Sequence, residues 1–235
     1  MITGRYEFAG KAVEVNSLYE KVHEYCADYK TDDPADFEVV ISDDDIEYER
    51  EHAERKGYAD GYLEELAVYR KISEKMPFYD TILFHGSVVA VDGAAYMFTA
   101  ASGTGKSTHA ALWREYFGDR AVMVNDDKPL LHIGDVVTAF GTPYDGKHRL
   151  SNKIAVPLKA ICILTRAPEN SIVPVTKSEA YPMLIQQAYR PNDVFALRKT
   201  MTLVDRLAGS VGLFKLGCNM ELEAARVAYE GMNQA

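Results

Sequence analysis

Seven consecutive residues, Ser102-Gly103-Thr104-Gly105-Lys106-Ser107-Thr108, combine two glycines, a lysine and several hydroxyls at a spacing suited to a polyphosphate. Gly103 and Gly105 let the backbone curl so that several N–H groups point inward and form a concave anion site. Lys106 then carries a point charge to the β- and γ-phosphates of ATP, while the Ser107 hydroxyl holds a Mg²⁺ that bridges the same two groups. Ser102, Thr104 and Thr108 complete the expected nucleotide contacts. The strict pattern has glycine where Ala100 stands, so this is the relaxed form of the loop. A Gly/Ser turn with an unrelated lysine is the competing account.

About 20 residues beyond Lys106 lies Asn125-Asp126-Asp127, directly after the apolar run Ala121-Val122-Met123-Val124. Such a run suits a buried strand, and carboxylates at its end face the crevice where α/β sheets bind ligands. One aspartate can hold Mg²⁺ and the other can take the proton of an attacking hydroxyl. Asp127 is assigned to the metal and Asp126 to the base, roles that the sequence leaves interchangeable. An isolated Asp-Asp pair would read as a turn or a helix cap. Its distance from Lys106 favours chemistry.

The elements that must position these residues follow from hydrophobic patterning. Residues 82–86, 87–91 and 94–99 read as strands around a hairpin turn at Asp92-Gly93, the last running straight into the glycine-bearing loop. Residues 109–117 read as a helix, which gives the strand, loop, helix order of a phosphate site. Downstream come a strand at 136–140, a turn-rich loop at 141–150, an apolar strand at 160–164, helices at 181–189 and 194–208, a strand at 213–216 and a helix at 222–229. The turn-rich loop carries Lys147, His148 and Arg149. Arg149 is the candidate for stabilising charge on a transferring phosphoryl group, and a solvated basic turn is the alternative.

Composition changes near Pro77. Residues before it are acidic and tyrosine-rich, with strand-like residues 6–15 around Gly10, a helix over 17–29, a short strand over 37–41 and a helix over 61–75. Asp43, Asp44, Asp45, Glu47, Glu49, Glu51 and Glu54 read as a solvated helix face that Ser42 or Asp43 caps. A small α/β region over 1–78, packed on a catalytic domain over 79–235, is therefore expected.

With 47% hydrophobic and 26% charged residues, the 235-residue chain reads as globular. A net charge of -9 argues against nucleic acid as a partner, since phosphate neutralisation needs a clustered basic surface. Cys26, Cys162 and Cys218 are odd in number and widely spaced, which disfavours a disulfide framework or a zinc site. Neither a membrane span nor a signal peptide is read, so a cytoplasmic location is expected.

Taken together, His85-Gly86, the hairpin, the loop at 102–107 and Asn125-Asp126-Asp127 resemble the catalytic domain of HPr kinase/phosphorylase and its HPr-kinase-like relatives. The loop is also similar to that of ATP-dependent phosphoenolpyruvate carboxykinase, which shares the core fold. The resemblance covers residues 80–165 well and the remainder loosely. It implies an α/β fold with a P-loop core of the phosphoenolpyruvate-carboxykinase/HPr-kinase type and a mixed sheet. It further implies ATP and Mg²⁺ as cofactors, catalytic roles for Lys106 and Asp126, a metal contact from Ser107 and Asp127, and His85 near the transferred phosphate. Residues 1–78 do not resemble the separate N-terminal domain of the bifunctional enzymes, and Thr108 stands where those usually carry an acidic residue. The acceptor is then expected to be a hydroxyl of a peptide or protein other than HPr, as in the shorter relatives associated with peptide-modifying gene clusters. A small-molecule hydroxyl kinase and a nucleotide-binding regulator without phosphotransfer are the alternatives. A carboxykinase is disfavoured by the short chain.

Overall fold

The computed structural model describes every residue except 54, 147 and 235, and the chain divides into two units, Met1–Met76 and Pro77–Ala235. Glu54 of the acidic run and Lys147 of the basic loop thus lie outside the described residues.

In the first unit, β1 (Ile2–Phe8) and β2 (Lys11–Ser17) form an antiparallel hairpin with Phe8 opposite Lys11. Its two-residue turn needs positive φ at both positions, and Ala9 and Gly10 adopt 51° and 74°. β3 (Phe37–Val40) adds in parallel to β2. Tyr6, Phe8, Val13 and Val15 are fully buried, as are Leu63, Ala67, Val68 and Ile72 of α3 (Asp60–Lys75). Ser42 precedes α2 (Asp43–His52), and its backbone N–H and hydroxyl both donate to the Asp45 carboxylate, at 3.0 and 2.9 Å.

The helix expected over 17–29 is a correction. Ser17 closes the β1/β2 ladder opposite Ile2, and only α1 (Lys21–Tyr25) and a 3-10 turn at Ala27–Tyr29 are helical. Ser17 donates to the Tyr19 carbonyl at 2.9 Å and its hydroxyl lies 2.7 Å from His23 Nε2, which fixes a bend where the pattern reads a helix start.

The second unit is built on a mixed sheet. Its strands are β4 (Thr81–Leu83), β5 (Ser87–Val91), β6 (Ala94–Thr99), β7 (Ala121–Asn125), β8 (Leu130–Ile133), β9 (Val137–Phe140), β10 (Ala155–Arg166), β11 (Ser171–Pro174) and β12 (Gly212–Cys218). The order is β4-β8-β9-β10-β6-β5-β7, with β12 on the other part of β10 and β11 on β12. The long β10 joins two regimes: Ala155 to Pro157 pair antiparallel with β9, whereas the rest pairs in parallel with β6 and β12. Each face of the sheet has its own core. Ala95, Met97 and Ile161 pack with Ala180 and Leu184 of α5 (Lys177–Gln187) and with Leu203, Val204 and Leu207 of α6 (Val194–Ser210). Tyr96, Phe98 and Cys162 face the opposite way, onto Trp113 and Phe117 of α4 (Lys106–Phe117) and onto Ala225, Ala228 and Met232 of α7 (Glu223–Gln234). The period-2 alternation along β6 thus feeds two helical layers.

Residues 81–91 divide differently from the sequence reading. β4 leaves the hairpin and pairs with β8 at the far edge, with Ile82 opposite Leu131, while β5 and β6 make the hairpin around Asp92-Gly93. The run at 121–124, expected to form a buried strand, does so at the end of the sheet, where Met123 and Val124 are buried. β7 pairs with β5, and Val122 is 42% exposed.

Candidate functional site

Strand direction gathers the chemistry at one end of the sheet. β6 and β10 run parallel with Ile163 opposite Thr99, and β10 and β12 run parallel with Arg166 opposite Cys218, so their carboxyl ends lie together. β5 runs the other way and brings Ser87 opposite Phe98. β7 reverses again and brings Asn125 opposite Val88.

The loop leaving β6 turns through Gly103 and Gly105, with φ of 75° and 120°, values that side-chain-bearing residues rarely adopt. Gly105 ends the loop and α4 begins at Lys106, so free backbone N–H groups and the positive end of the helix dipole face the same space. Ser102 and Gly103 are exposed there, and Thr104 is half-buried. Thr108 is exposed in the first helical turn. Lys106 is buried, its Nζ 3.3 Å from the Ala100 carbonyl oxygen. Burial pulls its pKa below the ordinary lysine value, against the opposing fields of Asp127 and Asp126.

The two aspartates have different partners. Asp126 is buried and accepts from Ser87 Oγ at 2.9 Å, and Ser107 lines the same cleft beside it. Burial raises its pKa more than Ser87, Ser107 and the field of His148 lower it. Asp127 lies 3.2 Å from His85 Nε2 and is paired with Lys128. Burial alone would raise its pKa, but the hydrogen bonds and charges of His85 and Lys128 outweigh it and hold the group at about 2.

Asn125 sets this divergence. Its Oδ1 accepts from the N–H groups of Asp127 and Lys128 at 2.9 and 2.7 Å, and its Nδ2 donates to Thr142 Oγ1 at 2.9 Å. The chain must turn sharply after Asn125, so neighbouring carboxylates point to different partners. His85 is held by its backbone, its N–H donating to the Gln187 carbonyl at 2.9 Å and its carbonyl accepting from Thr99 Oγ1 at 3.2 Å.

The structure therefore brings Lys106, Ser107, Asp126, Asp127 and His85 to one sheet end. Of the basic loop, His148 and Leu150 line a cleft with Asp126 and Ser107, and Arg149 is not among its lining residues. Arg149 is exposed, with a φ of 47°. Sequence reading missed Ser87 and Arg166. Arg166, the last residue of β10, donates to the Gly103 carbonyl at 2.6 Å and to that of Thr104 at 3.4 Å, tying the loop to the neighbouring strand. A lone arginine closing an apolar strand was the available signal.

The donor set suits a hard cation held in company with phosphate: a buried carboxylate, a hydroxyl and a second carboxylate, all oxygen. Among the described residues no group of three His, Cys, Asp or Glu side chains could hold a metal unaided. His109 is set apart from this chemistry. It is buried against Phe98, accepts from Trp113 Nε1 at 3.1 Å and has its pKa lowered to about 4 by burial, which keeps it neutral. No described helix is long and apolar enough to cross a membrane. Cys26 and Cys162 are buried and Cys218 is half-buried, all three as free thiols.

No curated protein matches the sequence. Among solved structures, the HPr(Ser) kinase/phosphatase from Coxiella burnetii aligns at 12% identity with a TM-score of 0.30, covering 53% of this chain and 90% of that one. Residues 63–211 match the family described as SynChlorMet cassette protein ScmC. That match spans well over half of the chain and contains the glycine loop, α4 and both aspartates, so the chain belongs to the SynChlorMet cassette protein ScmC family.

Proposed function

We propose that the protein is an ATP-dependent kinase with a P-loop core of the HPr-kinase type, transferring the γ-phosphoryl group to a hydroxyl of a peptide or protein. The observation that carries this reading is the convergence of the glycine loop, Lys106 and Ser107 at the start of α4 with Asp126 and Asp127 at the end of β7. The loop N–H groups and the helix dipole bind the phosphates, and Lys106 supplies a charge to their β/γ end. Mg²⁺, when bound at Ser107 and Asp127, would neutralise charge on the β- and γ-oxygens. On the opposite flank of the loop, a cavity of about 560 Å³ lined by Leu112, Arg166, Cys218 and Met220 has the size and apolar lining for the nucleoside.

Asp126 is the base in this scheme, because burial raises its proton affinity and it opens on the cleft beyond Ser107. The acceptor oxygen forms a bond to the γ-phosphorus while the bond to the β,γ-bridging oxygen breaks. The hydroxyl proton passes to Asp126, and ADP leaves. Asp127, ionised at every physiological pH, faces the cation side with Lys106. One observation favours exchanging the two roles: Ser107 lies close enough to Asp126 to lower its pKa and lines the same cleft, which places Asp126 near the hydroxyl proposed to bind the metal.

Substitutions separate these readings. Lys106→Ala is expected to weaken Mg·ATP binding, measured by calorimetry, by roughly 10- to 100-fold, the equivalent of a charge-assisted hydrogen bond of about 1.5–3 kcal/mol. Unchanged affinity in the folded variant would refute the phosphate-loop assignment. Asp126→Asn is expected to keep ATP binding and lose transfer by roughly 10²- to 10⁴-fold, whereas Asp127→Asn shifts the Mg²⁺ requirement. The opposite pattern exchanges the two roles. ATP binding without labelling of any host peptide, protein or metabolite would instead make this a nucleotide-binding regulator.

A further inference from the structure

The cleft that contains Asp126 extends along α4, with a volume of about 590 Å³. Ser107, Ala110, Ala111 and Arg114 line it from the helix, at positions i, i+3, i+4 and i+7, which form one stripe on the helix surface. Asp126 and Met123 line the sheet side, and His148 and Leu150 close the other wall. Thr108 adds a hydroxyl beside Ser107 at the inner end, and from there to Arg114 the helix offers the two alanines, a small apolar floor.

Several arginines on or beside helices are paired, and Arg114, like Arg198 of α6, is not paired with any described residue. Arg120 pairs with Asp92, Arg226 with Glu223 and Glu230, and Arg70 with Asp45 and Glu49. Arg114 is exposed, and its guanidinium has no hydrogen-bond or ion-pair partner among the described residues. Acidic residues outnumber basic ones by 35 to 26 in this chain, so carboxylates are plentiful, yet none among the described residues is paired with it. At the inner end of the same cleft His148 already acts electrostatically on Asp126. The wall thus runs from the proposed base, over a small apolar floor, to an available guanidinium.

Seven residues of helix rise about 10 Å. Extended polypeptide covers that distance in about three residues, at roughly 3.3–3.6 Å each. A metabolite of such length would meet polar groups along its middle, whereas a plain alanine floor accepts a main chain with any intervening side chains. We propose that the cleft binds the acceptor as an extended peptide in which an aspartate or glutamate, three residues from the phosphorylated hydroxyl, pairs with Arg114. This specificity rests on the kinase reading above and adds the chemical class of its substrate.

Peptides of ten residues with one serine, and with glutamate or lysine three residues to its N- or C-terminal side, distinguish the possibilities when incubated with γ-labelled ATP. The expected result is a preference of about tenfold for glutamate over lysine on one side of the serine. That preference should persist in Arg114→Lys and invert in Arg114→Glu. Because the measure is a ratio of two peptides within one variant, a general loss of activity cancels. A ratio near one in the wild type, or a glutamate preference that survives Arg114→Glu, overturns the proposal. If no peptide is labelled while Mg·ATP binding still depends on Lys106, the acidic-peptide acceptor is wrong and the nucleotide site stands. If ATP binding is independent of Lys106, the failure lies in the kinase reading itself.

Discussion

Gly141 marks how closely the segment after β9 is laid against the site. A Cβ there would sit 1.8 Å from the Asn152 carbonyl oxygen and 2.7 Å from that of Val124, and both are backbone atoms that cannot turn away. Asn152 in turn donates from Nδ2 to the Met123 carbonyl at 2.8 Å and from its backbone N–H to Val124 at 3.3 Å, covering the outer edge of β7. Gly141→Ala is therefore expected to cost about 1–3 kcal/mol and to speed hydrogen exchange at the Asn152 and Ile154 amides. Unaltered exchange would mean that the segment absorbs the methyl group by moving elsewhere. The place of Lys106 and Ser107 at the start of α4 could be read from the chain, because a glycine-bearing loop between a strand and a helix is a short local frame. Ser87 and Arg166 could not, since each acts on a group far along the chain, Ser87 on Asp126 and Arg166 on Gly103.

Among the elements, α4 couples the core to the loop. Trp113 is fully buried, packs on Tyr96, Phe98, Phe117 and Tyr229, and donates to His109, whose own backbone N–H donates to the Gly105 carbonyl at 2.9 Å. A rigid first turn needs a helix that cannot slide. Trp113→Ala should lower stability by about 3–5 kcal/mol, followed by far-UV circular dichroism in denaturant. It should also weaken ATP binding in the protein that remains folded. Normal affinity in the folded fraction would show that the loop is held by Arg166 and β6 without help from the helix. The apolar period of this helix was legible, and so was its start at the glycines. The edge position of β7 was not, because an apolar run of four residues reads the same inside a sheet as at an edge covered by a loop. β8 and β11 were also not read from the sequence.

At the scale of the molecule, the N-terminal unit has a polar core contact that a pH change can test by itself. His23 is buried, with Tyr6 Oη 2.6 Å from Nδ1 and Ser17 Oγ 2.7 Å from Nε2, and burial lowers its pKa below the ordinary value of 6.5. The unfolded chain takes up a proton near pH 6.5 while the folded one resists, so stability present above that pH falls as the solution is acidified. Exchange of the β2 amides should accelerate between pH 7 and pH 5, after correction for intrinsic rates, by less in His23→Gln than in the wild type. Equal acceleration would remove His23 as the cause. What the sequence by itself determined is local: the loop that curls at Gly103 and Gly105, the helix that follows it, the carboxylates after an apolar strand, and an acidic N-terminal region of different composition. Each of these is set by backbone freedom or side-chain periodicity within about ten residues. Only the tertiary structure decided that Asp126 meets Ser87, that Asp127 meets His85, that Arg166 steadies the loop and that Arg114 lines one cleft with Ser107 and Asp126. Those pairings depend on the order and direction of strands separated by tens of residues. That order is fixed by burying two apolar faces of one sheet at once, which no local pattern encodes.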